Sequence, residues 1–581
     1  MSSSRSLNRR AFIGTSAAGL AGAAIGLRHL NAGMMIAPGG MMGFNQYRPV
    51  RSIPQSEMDS SVHIAGLPFL PHFIGDYFPS SGEMGEDLPF HHDERGWRDG
   101  REPAIDEQVS AVVVGGGLGG LTAAWELREM RPIVLEMRDR FGGNAMGESW
   151  RGATTSLGSV YVITPDPGPL MTLYTELGMD KAYRFEDGAM HVEWNREQGT
   201  DLCSLANCTP AEQKAMARYL EQVEYRADGG YPNIPLTGSP LGDQMVRELD
   251  TRSFADDIRN ESGPNLPPIL QQAIQAYCYS SFGIGWEEIS AAGGWNFLAA
   301  EEFGRWILPG GNSYMADALW RRLRAVEQNG GEDGSMLRGN SPAVDIKELE
   351  HGKWKVSYRT PDGGFRAIQT DNLVMANSKH VAKYLINDLE GLDPEKSEAL
   401  NEIRTMPYIV VNILLRNRPE KIPYDLFLLG QGDLPMTPDA FQANSRPVDV
   451  LDGDYASGPL KYETSQGASL QLFWPLPWHT ARFSLVTESA FEEYAAKAAE
   501  QIHSLLPRLG ISVSDIAQIR MVRWAHAMPI PVPGLIADGT CEMIRRPIGS
   551  MYFANQDNWA LPAVENTVLD AIEFSQSILG G

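Results

Sequence analysis

The chain is poor in cysteine, with four in 581 residues: Cys203, Cys208, Cys278 and Cys541. None stands in a C-x-x-C pair and there is no C-x-x-C-H, which removes those signatures of metal, redox and haem-attachment sites. Positive charge is also scarce. Lys and Arg number 49 against 73 Asp and Glu, a formal net charge of −24, so the clustered cations that a nucleic-acid backbone requires are missing and no nucleic-acid partner is expected. A cationic substrate is compatible with this balance, which acts on solubility and steering. There is no internal repeat and no long low-complexity tract. What the chain does have is length and 43% hydrophobic residues, enough for a large core divided into two or more domains.

The N-terminal stretch "LNRRAFIGTSAAGLAGAAIGL" carries paired Arg9 and Arg10, then Phe12, then a Gly/Ala-rich mildly apolar run. It resembles a twin-arginine export signal over residues 1–33. The run is too short and glycine-rich for a firm membrane span. No clear A-x-A follows, so cleavage and retention as an anchor both stay open. The resemblance implies the twin-arginine export machinery as a partner and a periplasmic or exported location. That route moves folded proteins, which suits an enzyme that takes up its cofactor first. Residues 34–104 form a Pro/Gly/Met-rich extension that reads as packed over a domain surface. In its "PFHHDERGWRDG", His91 and His92 are adjacent and point apart in most backbones, so the stretch reads as a polar loop and no metal is assigned. Cys203 and Cys208 either pair after export or remain two thiols in a loop.

The strongest local signal is "VVVGGGLGGLTAAWELREMRPIVLE". "AVVV" is a short β-rich run, and Gly115, Gly117 and Gly120 follow it as G-x-G-x-x-G. Gly115 permits the tight turn, Gly117 lets backbone approach a diphosphate, and Gly120 lets the helix pack on the strand. The helix that follows aims its N-terminal amides at the diphosphate. A second strand ends in Glu136, a carboxylate placed to accept hydrogen bonds from a ribose and to repel a 2′-phosphate. Strand, glycines, helix, strand and acid in this order predict dinucleotide binding.

"RFGGNA" comes next, with Arg140, Gly142, Gly143 and Asn144, and here the chain resembles the flavin amine oxidase superfamily. "WILPGGNSYMADALWRRL", with Gly310 and Gly311, is similar to that family's Pro-Gly-Gly segment. "SMYFANQDNWALPAVENTVLDAIEFSQSI", with Asp557, Ala563 and Val564, is similar to its C-terminal flavin segment. "FGGNAMGESWRG", "LVMANSKHVAKYL", "MPYIVVNILLRN" and "IRMVRWAHAMPIPVPG" resemble a narrower, spermidine dehydrogenase-like branch. The C-terminal segment departs from the family at Asn555, where glycine is usual. The resemblance implies bound FAD and an α/β fold, α+β overall. In it a discontinuous Rossmann-type FAD domain (105–165, 304–385 and 518–581) carries an inserted mixed-sheet and helical substrate domain (166–303 and 386–517). It also places the backbone of Val344 against the adenine.

For chemistry, the resemblance implies a flavin that takes a hydride at N5 from a substrate C–H, most simply the α-carbon of a polyamine or other small amine, with oxygen, a quinone or a separate redox protein as electron acceptor. Trp559, three residues before Pro562, falls where relatives have an aromatic wall; the alternative is a core tryptophan. His526 in "RWAHAMP" is either a proton acceptor and donor or a satisfied junction histidine. Lys379 stands, with His380 and Lys383, where relatives place a lysine near flavin N5, or else is a surface cation. Tyr279, Phe282, Trp295 and Phe297 line the substrate cavity or pack a core. Cys278 and Cys541 read as packing residues, without an attachment motif. Two other readings share the fold: a carbon–carbon desaturase of the phytoene desaturase or protoporphyrinogen oxidase kind, and a flavin-bearing electron-transfer subunit.

Overall fold

The computed structural model describes residues 47–75, 102–331, 333–419, 422–456, 467–481 and 489–580. The expected export segment, His91 and His92 lie outside these residues. Within the described residues, two large sheets organise the chain.

The first sheet is built on the strand Ile105–Val114. Its neighbours run parallel: Leu337–Arg338, Ile133–Leu135, Ile105–Val114, Phe365–Met375 and Met551–Phe553, in that order. A parallel sheet is covered on both faces, so its strands read as continuous apolar runs. Ala111 and Val113 enter one hydrophobic core while Val112 and Val114 enter another, the period of two expected of a strand. Helix Leu118–Glu126 and the C-terminal helix Val564–Gly580 share the first of these cores with helix Ser313–Gly330. The long strand Phe365–Met375 gives its first half to an antiparallel hairpin with Trp354–Arg359, through a turn at "PDGG".

The second sheet has ten strands and includes Asp425–Gly430, Asp449–Asp452, Ala468–Pro475, Thr405–Leu415 and Ile516–Pro529 as successive neighbours. Ile516–Pro529 belongs to this sheet, so the expected boundary at 518 falls inside one of its strands. Its sequence, "IAQIRMVRWAHAMP", buries Gln518, Arg520 and Arg523 among apolar residues, and nothing local in such a strand says which sheet it joins. Among the helices between residues 202 and 300, Pro268–Phe282 packs on Asp425–Gly430, and Pro210–Asp228 starts at Thr209 with a reciprocal Glu212 capping box.

The described part of the extension, 47–75, adds strands to existing sheets. Val50–Ser52 pairs with Gly147–Trp150, and Leu67–Phe69 and Ile74–Gly75 pair with Ile516–Pro529. A buried ion network fastens it. Arg520 donates to Glu148 from Nε at 2.6 Å and to Glu57 at 2.7 Å, and Arg51 donates to both acids. Burial alone raises the Glu148 carboxyl, but Arg520, Arg51 and Arg140 outweigh it and hold the pKa at about 2. All four cysteines are free thiols.

Candidate active site

One cavity of about 810 Å³ lies between the two sheets. From the parallel sheet it is lined by residues 115–119, Glu136, Arg138, 142–145, Asp557, Ala563 and Val564. From the ten-stranded sheet it is lined by Tyr408, Asp425, Asp449, Phe473, Trp524 and His526.

The glycines divide the work by geometry. Gly115 has φ +110°, and a Cβ there meets Ala376 O at 2.9 Å, so the turn admits only glycine at low cost. A Cβ on Gly120 meets Gly115 O at 1.8 Å; this is where helix and strand touch, and Gly120 does not line the cavity. A Cβ on Gly117 meets only Gly143 Cα, at 3.8 Å, and so projects into the cavity at the N-terminus of Leu118–Glu126. Glu136 accepts from the Gly116 and Arg138 amides at 2.7 and 2.9 Å. Asn144 and Gln556 both donate to Ala527 O, at 3.3 and 2.7 Å. Asp557 accepts from Ser378 Oγ and the Lys379 amide, and helix Val564–Gly580 begins at the lining. Two helix N-termini, a backbone cradle without side chains and a buried carboxylate fit a dinucleotide. The buried Asn377 Oδ1, also in the lining, has no hydrogen-bond partner among the described residues.

Several expected positions lie elsewhere. Val344 is buried, and Pro342 and Ala343 line the cavity instead; a shift of one residue reverses the face of a strand. Gly310 and Gly311, at φ +79° and +60°, pack against Thr154 and Ser313 and against Ser159 and Val160 respectively, and do not reach the cavity. Arg140 is drawn into the ion network, 4.0 Å from Glu148 and donating to Gly147 O. Trp559 is 6% exposed and absent from the lining; its ring packs in a core with the Arg545 guanidinium 4.9 Å from its centre. Lys379 is fully buried, with Nζ 5.6 Å from the centre of the Phe553 ring and not in the lining. Burial lowers its ammonium to about 8 against the pull of Asp557. Of the four aromatics singled out, only Phe297 lines the cavity. Tyr279 stacks on Phe441 at 4.2 Å, Trp295 donates to Asp257 at 2.6 Å, and Phe282 packs on Phe297.

His526 does line the cavity. Its Nδ1 is 2.7 Å from Thr405 Oγ1, and its ring stacks on His380 with centres 4.0 Å apart.

A polar cluster that no motif announced closes the other side. Arg305 Nε donates to Glu301 at 2.5 Å and Nη1 to Asp425 at 3.1 Å. Tyr161 and Tyr277 both donate to Glu301 Oε1, at 3.0 Å, and Ser280 Oγ donates to Asp449 Oδ2 at 2.8 Å. Burial pushes Asp425 up to about 6 against Arg305, and raises Asp449, which faces Asp425, well above the carboxylate range. The one available signal was a charged residue opening an apolar strand, "DLFLLG" and "DVLD", which many surface strands share.

Comparison with known proteins decides the class. A family model described as flavin containing amine oxidoreductase matches residues 118–554. The chain belongs to this family. Oxidoreductase PigB of Serratia is 21% identical over 539 residues, covering 82% of this chain and 75% of PigB. Putrescine oxidase of Kocuria rosea is 33% identical over 165 residues, 28% of this chain and 33% of that one. A solved putrescine oxidase bound to putrescine superposes with a TM-score of 0.59 at 18% identity, covering 82% of this chain and 99% of the other, which shows a common fold. As a member of the flavin-containing amine oxidoreductases the protein is an FAD-dependent oxidoreductase, and the cradle around Gly117 with Glu136 is where its residues fit that cofactor.

Proposed function

We propose that the enzyme oxidises a small amine to an imine at the cavity between the sheets. The observation that carries this reading is the cavity wall itself: Glu301, Asp425 and Asp449 face Tyr161, Tyr277, Tyr408 and Trp524, with Arg305 as the cation of the cluster. Carboxylates draw in an ammonium, and aromatic faces hold its uncharged carbon skeleton. A desaturase of long apolar substrates would have to set these buried acids against hydrocarbon, at a high cost.

Bound FAD supplies a two-electron acceptor for a hydride from the substrate carbon. The chain supplies the rest. Trp524 and Tyr408, opposite one another on adjacent strands, orient the carbon skeleton. His526, its Nδ1 fixed by Thr405, offers its other ring nitrogen to take the ammonium proton, so that the amine reacts as the neutral base. Loss of that hydride and of a proton from nitrogen leaves an imine, which water hydrolyses to a carbonyl compound with release of the nitrogen as ammonia or an amine. The two electrons pass on to oxygen, a quinone or a redox protein.

Anaerobic mixing of the purified enzyme with monoamines, diamines and amino acids tests this: an amine bleaches the flavin absorbance, and a flavin that no amine bleaches overturns the reading. The paired Arg9 and Arg10 support export by the twin-arginine route. Lysine at both keeps the charge but loses the planar fork, and the precursor should stay in the cytoplasm; unchanged export overturns that assignment.

A further inference from the structure

We propose that Asp449 and Asp425 form a second cation subsite, which holds the distal ammonium of a diamine while its other nitrogen is oxidised. This rests on the amine reaction proposed above. The two carboxyls face each other and line the cavity; Asp449 is 1% exposed and Asp425 8%. One oxygen of each is already used: Asp449 Oδ2 accepts from Ser280, and Asp425 Oδ2 accepts from Arg305. Apart from the opposing carboxyl, no group among the described residues reaches Asp449 Oδ1 or Asp425 Oδ1.

The charge count points the same way. Among the described residues, Arg305 is the cation that serves Glu301, Asp425 and, at 3.7 Å, Glu186; Asp449 beside them is held toward its neutral form by burial and adds a hydrogen bond to Asp425 rather than a charge. The tyrosine hydroxyls on Glu301 add hydrogen bonds without charge. The lining's other guanidinium, Arg138, stands over Trp524, 5.2 Å from the ring centre. Buried carboxylates are stable only when paired and hydrogen-bonded. An entering ammonium brings one positive charge and N–H donors for the two facing oxygens in place of the proton they share, whereas a hydroxyl or methyl end brings no charge.

The sheet also sets a length. Asp449 pairs with Phe473, Phe473 with Val410, and Val410 with Val522. Asp449 is therefore three strand spacings, about 14 Å, from the strand that carries Trp524 and His526. That reach selects extended diamines over short ones.

The test uses the FAD-loaded enzyme reduced with dithionite under nitrogen, where no turnover occurs. Calorimetric titration compares straight-chain diamines with monoamines of equal carbon number. The longer diamines should bind roughly ten-fold or more tighter, the scale of a charge-assisted hydrogen-bonded pair. Asp449→Asn should weaken diamine binding far more than monoamine binding and erase the preference; Asp425→Asn, checked by thermal melting, gives the same readout should the first variant not fold. Equal affinities in the parent, or a preference that survives the substitutions, overturn the subsite. These results are separable from failure of the amine reading, in which neither class bleaches the oxidised flavin.

Discussion

Gly117→Val separates cofactor binding from folding. The backbone at 117 has φ −74° and ψ −173°, a conformation open to any L-residue. A Cβ there meets only Gly143 Cα at 3.8 Å, so the protein itself does not resist the side chain. The stiffer unfolded chain gains stability and the poorer helix cap loses it, and the two effects nearly cancel, within about 1 kcal/mol. The cofactor meets the opposite situation. Two methyls at 117 stand in front of the amides of Leu118–Glu126, where a diphosphate has to approach. Losing two charge-assisted backbone hydrogen bonds at roughly 1.5–3 kcal/mol each weakens FAD by about 3–6 kcal/mol, on the order of a hundred- to ten-thousand-fold. The variant should purify colourless, melt close to the parent apoprotein, and fail to turn yellow on FAD titration. Gly120→Ala is the control, because its Cβ meets Gly115 O at 1.8 Å and the fold itself should be lost. A Gly117→Val protein with a full complement of flavin would refute the cradle.

Trp559→Ala should lower stability by roughly 3–5 kcal/mol, as a large-to-small change in a packed core, whereas Trp559→Phe should melt higher than the alanine variant and reduce its flavin at the parent rate; slowed reduction in stopped-flow mixing would instead put Trp559 in the site. Glu148 has a folded pKa of about 2 against a usual 4.5. Its contribution is present above the unfolded value and is lost as pH falls through the folded one, about 3 kcal/mol in all. Urea unfolding at about pH 5 and about pH 3 should show that loss in the parent and a flatter profile in Glu148→Gln. Thr405→Val should leave the His526 ring stacked on His380 but remove the partner of Nδ1, and the pH profile of flavin reduction should shift; an unmoved profile would remove His526 from proton transfer.

The nucleotide half of the site was legible because its information is local. Turn, helix start and acid lie within residues 111–136, and each residue type answers a backbone requirement that spacing alone expresses: a positive φ at Gly115, a close contact at Gly120, an open approach at Gly117. The substrate half is assembled from Tyr161, Tyr277, Glu301, Arg305, Tyr408, Asp425, Asp449 and Trp524, far apart in the chain. There one step of register or rotation decides. Tyr277 reaches the cavity and Tyr279 does not, because two residues turn a helix by about 200°. Ala343 lines the wall while Val344 faces the core, because strands alternate. Ser378 lines it while Lys379 turns its ammonium toward Phe553. By itself the sequence determined dinucleotide binding, whose residues are neighbours in the chain, and through the family resemblance of segments spread along it also the flavin and the fold class. Which side chains meet the substrate was decided only by tertiary structure, because the packing of two sheets sets their facing, and no short stretch of sequence contains both.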